Sequence, residues 1–160
     1  MLTVRPHVTG ARLLVLSLLL IAAAGCSVKF VADYDAATFD EILKVGKGVD
    51  RFYGEMLEAP EAQRPYAKYS TKYVEIETDI RSLLLRNKAR PLNSESITIN
   101  ETILNLWLKY KDNHQKTDTY RTGVARLDRN RFLRLFAAAA DAESAKRLDG
   151  DDRNPSKDSK

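Results

Sequence analysis

Apolar residues recur at intervals of three and four along most of this chain, and that period belongs to the α-helix. The strictest run has the seam Tyr66, Tyr69, Tyr73, Ile76, Ile80 and Leu83. No stretch of useful length alternates apolar and polar residues, as a half-buried strand would. The pattern therefore predicts an all-α fold, and it assigns the three tyrosines to the core or its rim rather than to a stacking site for a ligand.

A first helix is predicted to begin within YDAATFDEIL, where Asp35 and Thr38 can both act as caps. Its seam consists of Ile42, Val45, Val49, Phe52 and Met56. Gly46, Gly48 and Gly54 each weaken a helix by about 1 kcal/mol relative to Ala. Close packing against a neighbouring helix would offset this cost, and a break near Gly46 to Gly48 is the alternative.

Two more helices are predicted after Pro91, which disfavours helix at the preceding residue and donates no backbone hydrogen bond. Asn93 or Ser94 would cap the third helix. Trp107 is expected to be a core anchor that, with Leu104, flanks the seam of Ile99, Ile103, Leu106 and Tyr110. The polar segment KDNHQKTDT is predicted to be a connection, with His114 as a solvated loop residue. The fourth helix would begin near Asp118 and end near Lys146. Together the helices predict an antiparallel bundle of about four helices, with one long hairpin and two shorter helices as the variant.

The first 25 residues have the features of a secretory signal peptide. They contain Arg5 and Arg12, no acidic residue, and an apolar core from Leu13 to about Gly25. This core is shorter than the roughly 20 apolar residues of a membrane-spanning helix. We expect residues 1–25 to be removed during export.

The single cysteine of the chain lies directly after this leader, in the junction Ala23-Ala24-Gly25-Cys26. The junction resembles the bacterial lipobox, in which a diacylglycerol is attached to the cysteine and the leader is cut just before it. Two or more acyl chains anchor a protein stably, whereas one gives marginal binding. The resemblance implies a lipid, such as palmitate, on Cys26. Since Ser27 and not Asp follows, it also implies the periplasmic face of the outer membrane.

A different cleavage site is the alternative to lipidation. Ala23 stands where a lipobox usually has Leu, and Ala22 and Ala24 form an A-x-A site. Ordinary signal peptidase could cut there and release a soluble secreted protein. A disulfide within the chain would need a second cysteine, and the chain contains only Cys26.

The mature chain is predicted to have three parts. Residues 26–33 form the lipidated N-terminus and tether, 34–147 the helical bundle, and 148–160 a disordered tail of mixed charge with Gly, Pro and Ser. Removing the leader lowers the formal charge from +4 to about +2, because Arg5 and Arg12 leave with it. This near balance does not indicate nucleic acid as a partner.

The sequence contains no HExxH, GxSxG or phosphate-binding glycine loop. Once the leader is removed, His114 is the one histidine and Cys26 the one cysteine, and these two cannot form a zinc site. Glu75 and Asp79 share one face of the second helix, while Glu77 and Arg81 share another. A solvated face is the expected role of these acids, and acid-based hydrolysis or cation binding is the alternative. We therefore expect no enzyme, no cofactor and no metal.

One charge falls within the apolar stripe of the fourth helix. At 100° per residue, Arg131 lies between Leu127 and Leu135. Its aliphatic stem can lie along the stripe with the guanidinium in water. The other hypothesis is an interhelical ion pair with Glu77 or Glu101, which would set register rather than add stability.

Several stretches are similar to small bacterial lipoproteins that have no assigned activity, namely YDAATFDEI, VDRFYGEM, YVEIETDIRSLLLRNKARPLN and ILNLW. The similarity would extend from about Val31 to Ala145. It implies an anchored helical domain and provides no catalytic residues. We expect a non-catalytic module that binds another envelope component. An exclusion or immunity lipoprotein that blocks a phage, a conjugation apparatus or a toxin is the alternative.

Overall fold

The computed structural model describes residues 30–151, with side chains up to Arg147. Within this range the chain forms four α-helices and a short 3-10 turn, Glu61–Gln63; the helices are α1 Ala36–Glu58, α2 Tyr66–Lys88, α3 Ser94–Thr117 and α4 Thr122–Asp151. Each helix packs against the next one in the chain, and α4 also packs against α1. The described residues form no strand. The predicted all-α helical bundle is therefore confirmed.

The start of α1 is fixed by Asp35 rather than by Thr38. Asp35 Oδ1 accepts a hydrogen bond from the amide of Ala37 at 3.1 Å, as an N-cap side chain does. The hydroxyl of Thr38 donates to Asp35 Oδ2 at 2.6 Å and is fully buried. From there α1 runs without a break past Gly46 and Gly48 to Glu58.

The α1–α2 connection and the α3–α4 connection lie at the same end of the bundle. Each provides a carboxylate that caps the second helix of the other hairpin. Asp118 Oδ1 accepts from the amide of Tyr66, the first residue of α2, at 2.8 Å. Glu61 Oε2 accepts from the amide of Thr122, the first residue of α4, at 2.7 Å. Each carboxylate lies at a helix N-terminus, where unpaired amides and the helix dipole favour negative charge. These two bonds tie the α1–α2 connection to the α3–α4 connection.

Aromatic side chains fill the centre of the bundle. The ring of Phe52 lies 4.7 Å from that of Tyr73 and 5.2 Å from those of Tyr53 and Trp107, all in edge-on contacts. Trp107 is fully buried and donates its indole N–H to the carbonyl of Tyr73 at 3.2 Å. The predicted core position of Trp107 is thus correct. Tyr69 and Tyr73 are also buried, as expected for core residues.

Two helix ends differ from the prediction. Helix α3 continues through the predicted connection KDNHQKTDT to Thr117 and stops at Asp118, whose φ of 48° is the left-handed conformation that ends many helices. Helix α4 extends beyond Lys146 to Asp151, and so enters the segment that we predicted as a tail. Residues 152–160 lie outside the described range. None of the helices in residues 30–151 is both long and apolar enough to cross a bilayer.

Candidate functional site

Cys26, the predicted site of lipid attachment, lies outside the described residues. The structure does show where the chain that follows it joins the bundle. Ala32 is buried, and its amide donates to the carbonyl of Leu92 in the α2–α3 turn at 3.0 Å. Arg90 Nη2 donates to the carbonyl of Asp33. Ala32 and Asp33, which we assigned to the tether, are therefore held by the bundle.

A buried cluster of charges lies beside this entry point, and we call Arg90, Glu143 and Lys146 the entry cluster. Arg90 makes a two-pronged contact with the Glu143 carboxylate, with N–O distances of 2.9 and 3.0 Å. Lys146 Nζ lies 2.6 Å from Glu143 Oε2. Burial alone would raise the pKa of Glu143, but the hydrogen bonds from Arg90, Lys146 and the Asp35 amide hold that pKa below its ordinary value.

Every donor of the Lys146 ammonium group has an acceptor. Besides Glu143 it donates to Asn93 Oδ1 at 2.6 Å and to Ser96 Oγ at 2.9 Å. Asn93 in turn donates to the side chain of Asn87 at 2.8 Å. These bonds join the end of α2, the start of α3 and the end of α4. The arrangement fastens helix ends and leaves no donor of Lys146 for a reaction or a ligand.

The opposite end of the bundle contains a second polar group around His114. This residue lies in α3 and is fully buried, so the predicted solvated loop position was wrong. Its Nε2 lies 2.9 Å from the carbonyl of Arg64, which can only accept, and therefore Nε2 donates. Nδ1 then accepts from the Tyr73 hydroxyl at 3.0 Å. Burial lowers the pKa of His114, against the opposing effects of the Arg64 bond and the Asp118 charge.

Arg64 is also buried, and sequence reasoning missed it. Its Nε donates to the carbonyl of Ala59 at 2.9 Å, while Nη1 donates to the carbonyl of Tyr120 and the hydroxyl of Thr122, each at 3.0 Å. One guanidinium thus bridges the two connections at this end. The sequence signal was weak, because Arg64 lies between helices, where periodicity gives no information.

A chain of hydroxyl and carboxylate groups runs from the core to the surface. Tyr53 and Tyr120 have their hydroxyl oxygens 3.3 Å apart, and Tyr120 donates to Asp128 Oδ2 at 2.8 Å. Burial raises the pKa of Tyr120. Asp128 is buried, and its Oδ1 accepts from Arg131 Nη1 at 3.1 Å. The same nitrogen donates to the Tyr110 hydroxyl at 2.8 Å.

Of the two hypotheses for Arg131, the interhelical ion pair with Glu77 or Glu101 does not occur in the structure. Arg131 pairs with Asp128, one turn earlier on its own helix, and its side chain is 43% exposed. Glu101 instead pairs with Lys88 at 2.7 Å. The guanidinium reaches the surface at the α3–α4 groove, as in the snorkelling account.

Glu77 on α2 lies at the surface between two basic side chains, one from α2 and one from α3. It accepts from Arg81 Nε at 2.9 Å and from Lys111 Nζ at 2.9 Å. Burial opposes ionisation of Glu77, but the hydrogen bonds from Lys111 and Arg81 outweigh it and lower the pKa. A carboxylate held in this way is a structural partner rather than a proton donor.

Glu75 and Asp79 border a shallow groove of about 250 Å³ between α1 and α2, lined also by Arg51, Glu55 and Lys72. Lys72 and Glu55 form an ion pair across it. Within residues 30–151, no three His, Cys, Asp or Glu side chains are grouped so that they could hold a metal ion. The groove presents both signs of charge and no nucleophile paired with a base.

Comparisons of the chain with protein-family models, curated proteins and solved structures gave no match.

Proposed function

We propose that this chain is a lipoprotein of the bacterial cell envelope, anchored through a lipid on Cys26 and acting as a non-catalytic binding module on the periplasmic face of the outer membrane. The observation that carries the proposal is the junction Ala23-Ala24-Gly25-Cys26 at the end of an apolar leader. Acyl chains on this cysteine would attach the protein, since each buried CH₂ contributes roughly 0.8 kcal/mol.

The entry of the chain into the bundle supports this proposal. Ala32 is already bonded to Leu92, so only the stretch from Cys26 to Ala32 would separate the lipid from folded protein. Fully extended, that stretch reaches at most about 20 Å. In the proposal, the end of the bundle with the entry cluster therefore stays near the membrane, and the end with His114 and Asp118 projects away from it.

The non-catalytic part of the proposal is supported by how the reactive side chains are used. Both nitrogens of His114 are engaged, by Tyr73 and by Arg64. Glu77 and Glu143 each form ion pairs with two basic side chains. Side chains bonded in this way contribute to the rigidity of the bundle and to the register of its helices. This suits a module that binds its partner through its surface rather than in a pocket.

Metabolic labelling tests the anchor. Labelled palmitate should enter the wild-type protein and should be absent from the Cys26→Ala variant, whose mature domain should become soluble. Inhibition of the lipoprotein-specific peptidase should make a larger, still labelled precursor accumulate. A wild-type protein that is soluble, unlabelled and begins at Gly25 would show cleavage after Ala24 and would overturn the proposal.

Localisation to the outer rather than the inner membrane can be tested at Ser27, the residue after Cys26. Ser27→Asp changes one side chain beside the lipid and leaves the bundle untouched. Separation of inner and outer membranes on a density gradient should find the wild type in the outer fraction and the variant in the inner one. Wild-type protein in the inner fraction would contradict the outer-membrane part of the proposal while leaving the anchor intact.

A triple substitution tests the absence of catalysis. Glu75→Gln, Glu77→Gln and Asp79→Asn together remove the acids that hydrolysis would need. We expect the cellular phenotype of a deletion strain to be complemented as well by this variant as by the wild type. Failure to complement, with normal folding and membrane association, would favour an enzyme.

A further inference from the structure

Helix α4 has two series of residues at helical spacing, one buried in the core and one largely exposed. The inner seam consists of buried residues at helical spacing, namely Ala125, Asp128, Phe132, Phe136, Ala139, Glu143 and Lys146. A second series, which we call the outer stripe, has the same spacing and consists of Val124, Leu127, Arg131, Leu135, Ala138 and Ala142. At 100° per residue its centre is displaced by about 100° from the centre of the inner seam. It lies on the side of α4 that borders α3.

The outer stripe is apolar and accessible. Val124 is 38% exposed and Leu127 is 48% exposed, while Leu135 is half-buried and packs against the edge of the core. Other large exposed apolar side chains lie outside this stripe, such as Leu43 on α1, Leu85 on α2 and Leu133 on α4. Single exposed leucines are ordinary, but an apolar series at intervals of three and four is the pattern by which one helix receives another. The inner seam contains three charged residues, whereas the outer stripe contains one. In a helix that only has to fold, the buried series would be expected to carry fewer charges than the exposed one.

Arg131 gives the outer stripe a charge in its middle. Its Nη1 is held by Tyr110 at 2.8 Å and by Asp128 at 3.1 Å, so the guanidinium is fixed over the α3–α4 groove. Within the described part of the chain, its hydrogen bonds all use Nη1. The edge formed by Nε and Nη2 is thus available, and this is the edge that receives a carboxylate in a two-pronged pair.

A small depression adjoins one end of the outer stripe. Its volume is about 100 Å³, and it is lined by Asn113 at the end of α3, Tyr120 in the α3–α4 connection and Val124 at the start of α4, among others. A depression of that size can receive a side chain. The stripe, the fixed charge and the depression therefore form one continuous surface along the α3–α4 groove.

We infer that the outer stripe is the docking surface for an amphipathic helix of a partner protein, whose apolar seam contains a carboxylate that pairs with Arg131. This inference rests on the proposed function as a binding module and names the surface it uses. A second copy of this chain fits less well. Two copies anchored at the same end would pair side by side, which brings Arg131 against its own counterpart, and like charges at an interface are unfavourable.

Site-specific photo-crosslinking in the source organism tests the inference with the full-length protein. A p-benzoylphenylalanine at position 127 probes the outer stripe, and one at position 85 is the control, since Leu85 is 70% exposed on α2. We expect position 127 to give one protein adduct that position 85 does not give. Mass spectrometry should place the crosslink in an amphipathic segment that contains Asp or Glu.

The role of Arg131 is tested in the same cells. Arg131→Met removes the charge and keeps an apolar side chain, and it should reduce the adduct at position 127 about tenfold, the effect of losing one good charge pair at an interface. Replacement of the partner's acid by its amide should cause the same loss, with no further loss when the two changes are combined.

Other outcomes would overturn the inference. An adduct of twice the chain's mass would assign the surface to a second copy, and an adduct with lipid would assign it to the membrane. Adducts at position 85 alone would leave the binding module standing and remove this surface from it. No adduct at either position, in protein that is lipidated and folded, would show that the outer stripe has no stable partner.

Discussion

The side chain of Phe136 in α4 packs directly on Gly46 in α1. A Cβ atom placed on Gly46 would lie 3.0 Å from Phe136 Cγ and 3.1 Å from its Cβ, tighter than nine in ten such contacts. The glycine therefore allows the two helices to lie close together. Of the two alternatives for the glycines of α1, close packing holds at Gly46 and a break does not occur. Gly48 provides the contrast, because a Cβ there would meet no atom within 4 Å.

These two glycines should respond in opposite directions to the same substitution. Gly48→Ala should stabilise the protein by up to about 1 kcal/mol, the difference in helix propensity. Gly46→Ala gains the same propensity but must displace the base of the Phe136 side chain, and overpacking typically costs about 1–3 kcal/mol. We expect a net loss, measured by urea unfolding. Equal stabilisation by both variants would show that α1 and α4 separate without cost.

Truncation of Trp107 should be among the most damaging changes in the bundle. The side chain is fully buried among the rings of Phe52, Tyr73 and Phe132. Trp107→Ala should lower the free energy of unfolding by about 3–5 kcal/mol, since it removes a large side chain and leaves a cavity. Leu85→Ala, at an exposed position, should change it by less than about 0.5 kcal/mol. If both variants changed the free energy of unfolding by a similarly small amount, Trp107 would not be part of the core.

The parts of the fold that could be predicted are those where burial and hydrophobicity coincide. Helix α2 has an uninterrupted apolar seam, and five of its six residues are buried, namely Tyr69, Tyr73, Ile76, Ile80 and Leu83. The core face of helix α4 was predicted wrongly because charged residues occupy its inner seam. Asp128, Glu143 and Lys146 are buried and paired there, so the apolar residues beside Arg131 looked like the core face although Val124 and Leu127 are exposed.

His114 was missed for a related reason, although a signal for it existed. It continues the seam of Ile103, Trp107 and Tyr110 at spacings of four, three and four, but polar neighbours on every side made the segment resemble a loop. A buried imidazole needs partners for both nitrogens. Those partners come from Tyr73 and from Arg64, which are distant in sequence, so the seam position was visible and the hydrogen bonds were not.

The burial of His114 predicts a loss of stability in mild acid. Its pKa is lowered in the folded state from an ordinary value of 6.5. The unfolded chain therefore binds a proton first as the pH falls. The contribution of His114 should be fully present above about pH 7 and should decline as the pH falls through about 6.5, by at most about 1.4 kcal/mol per pH unit.

Urea midpoints measured between pH 5 and 8 would detect this dependence. His114→Gln should be less stable than the wild type at pH 8 and should lose most of the slope between pH 5 and 7. An unchanged slope in the His114→Gln protein would assign the effect to the carboxylates.

Arg131 should be coupled to the residues it touches and not to the acids that the sequence suggested. Glu77 is engaged by Arg81 and Lys111, and Glu101 by Lys88. Double-mutant cycles of Arg131→Met with Glu77→Gln and with Glu101→Gln should therefore give no coupling energy.

A cycle of Arg131→Met with Tyr110→Phe should give a measurable coupling energy, because the Arg131–Tyr110 hydrogen bond joins α3 to α4 at 2.8 Å. Arg131→Met alone should still fold, since the guanidinium is partly exposed and methionine can lie along the same stripe. Coupling to Glu77 or Glu101 but not to Tyr110 would mean that Arg131 leaves the α3–α4 groove in solution. The docking surface inferred for α4 would then lack the fixed charge at its centre.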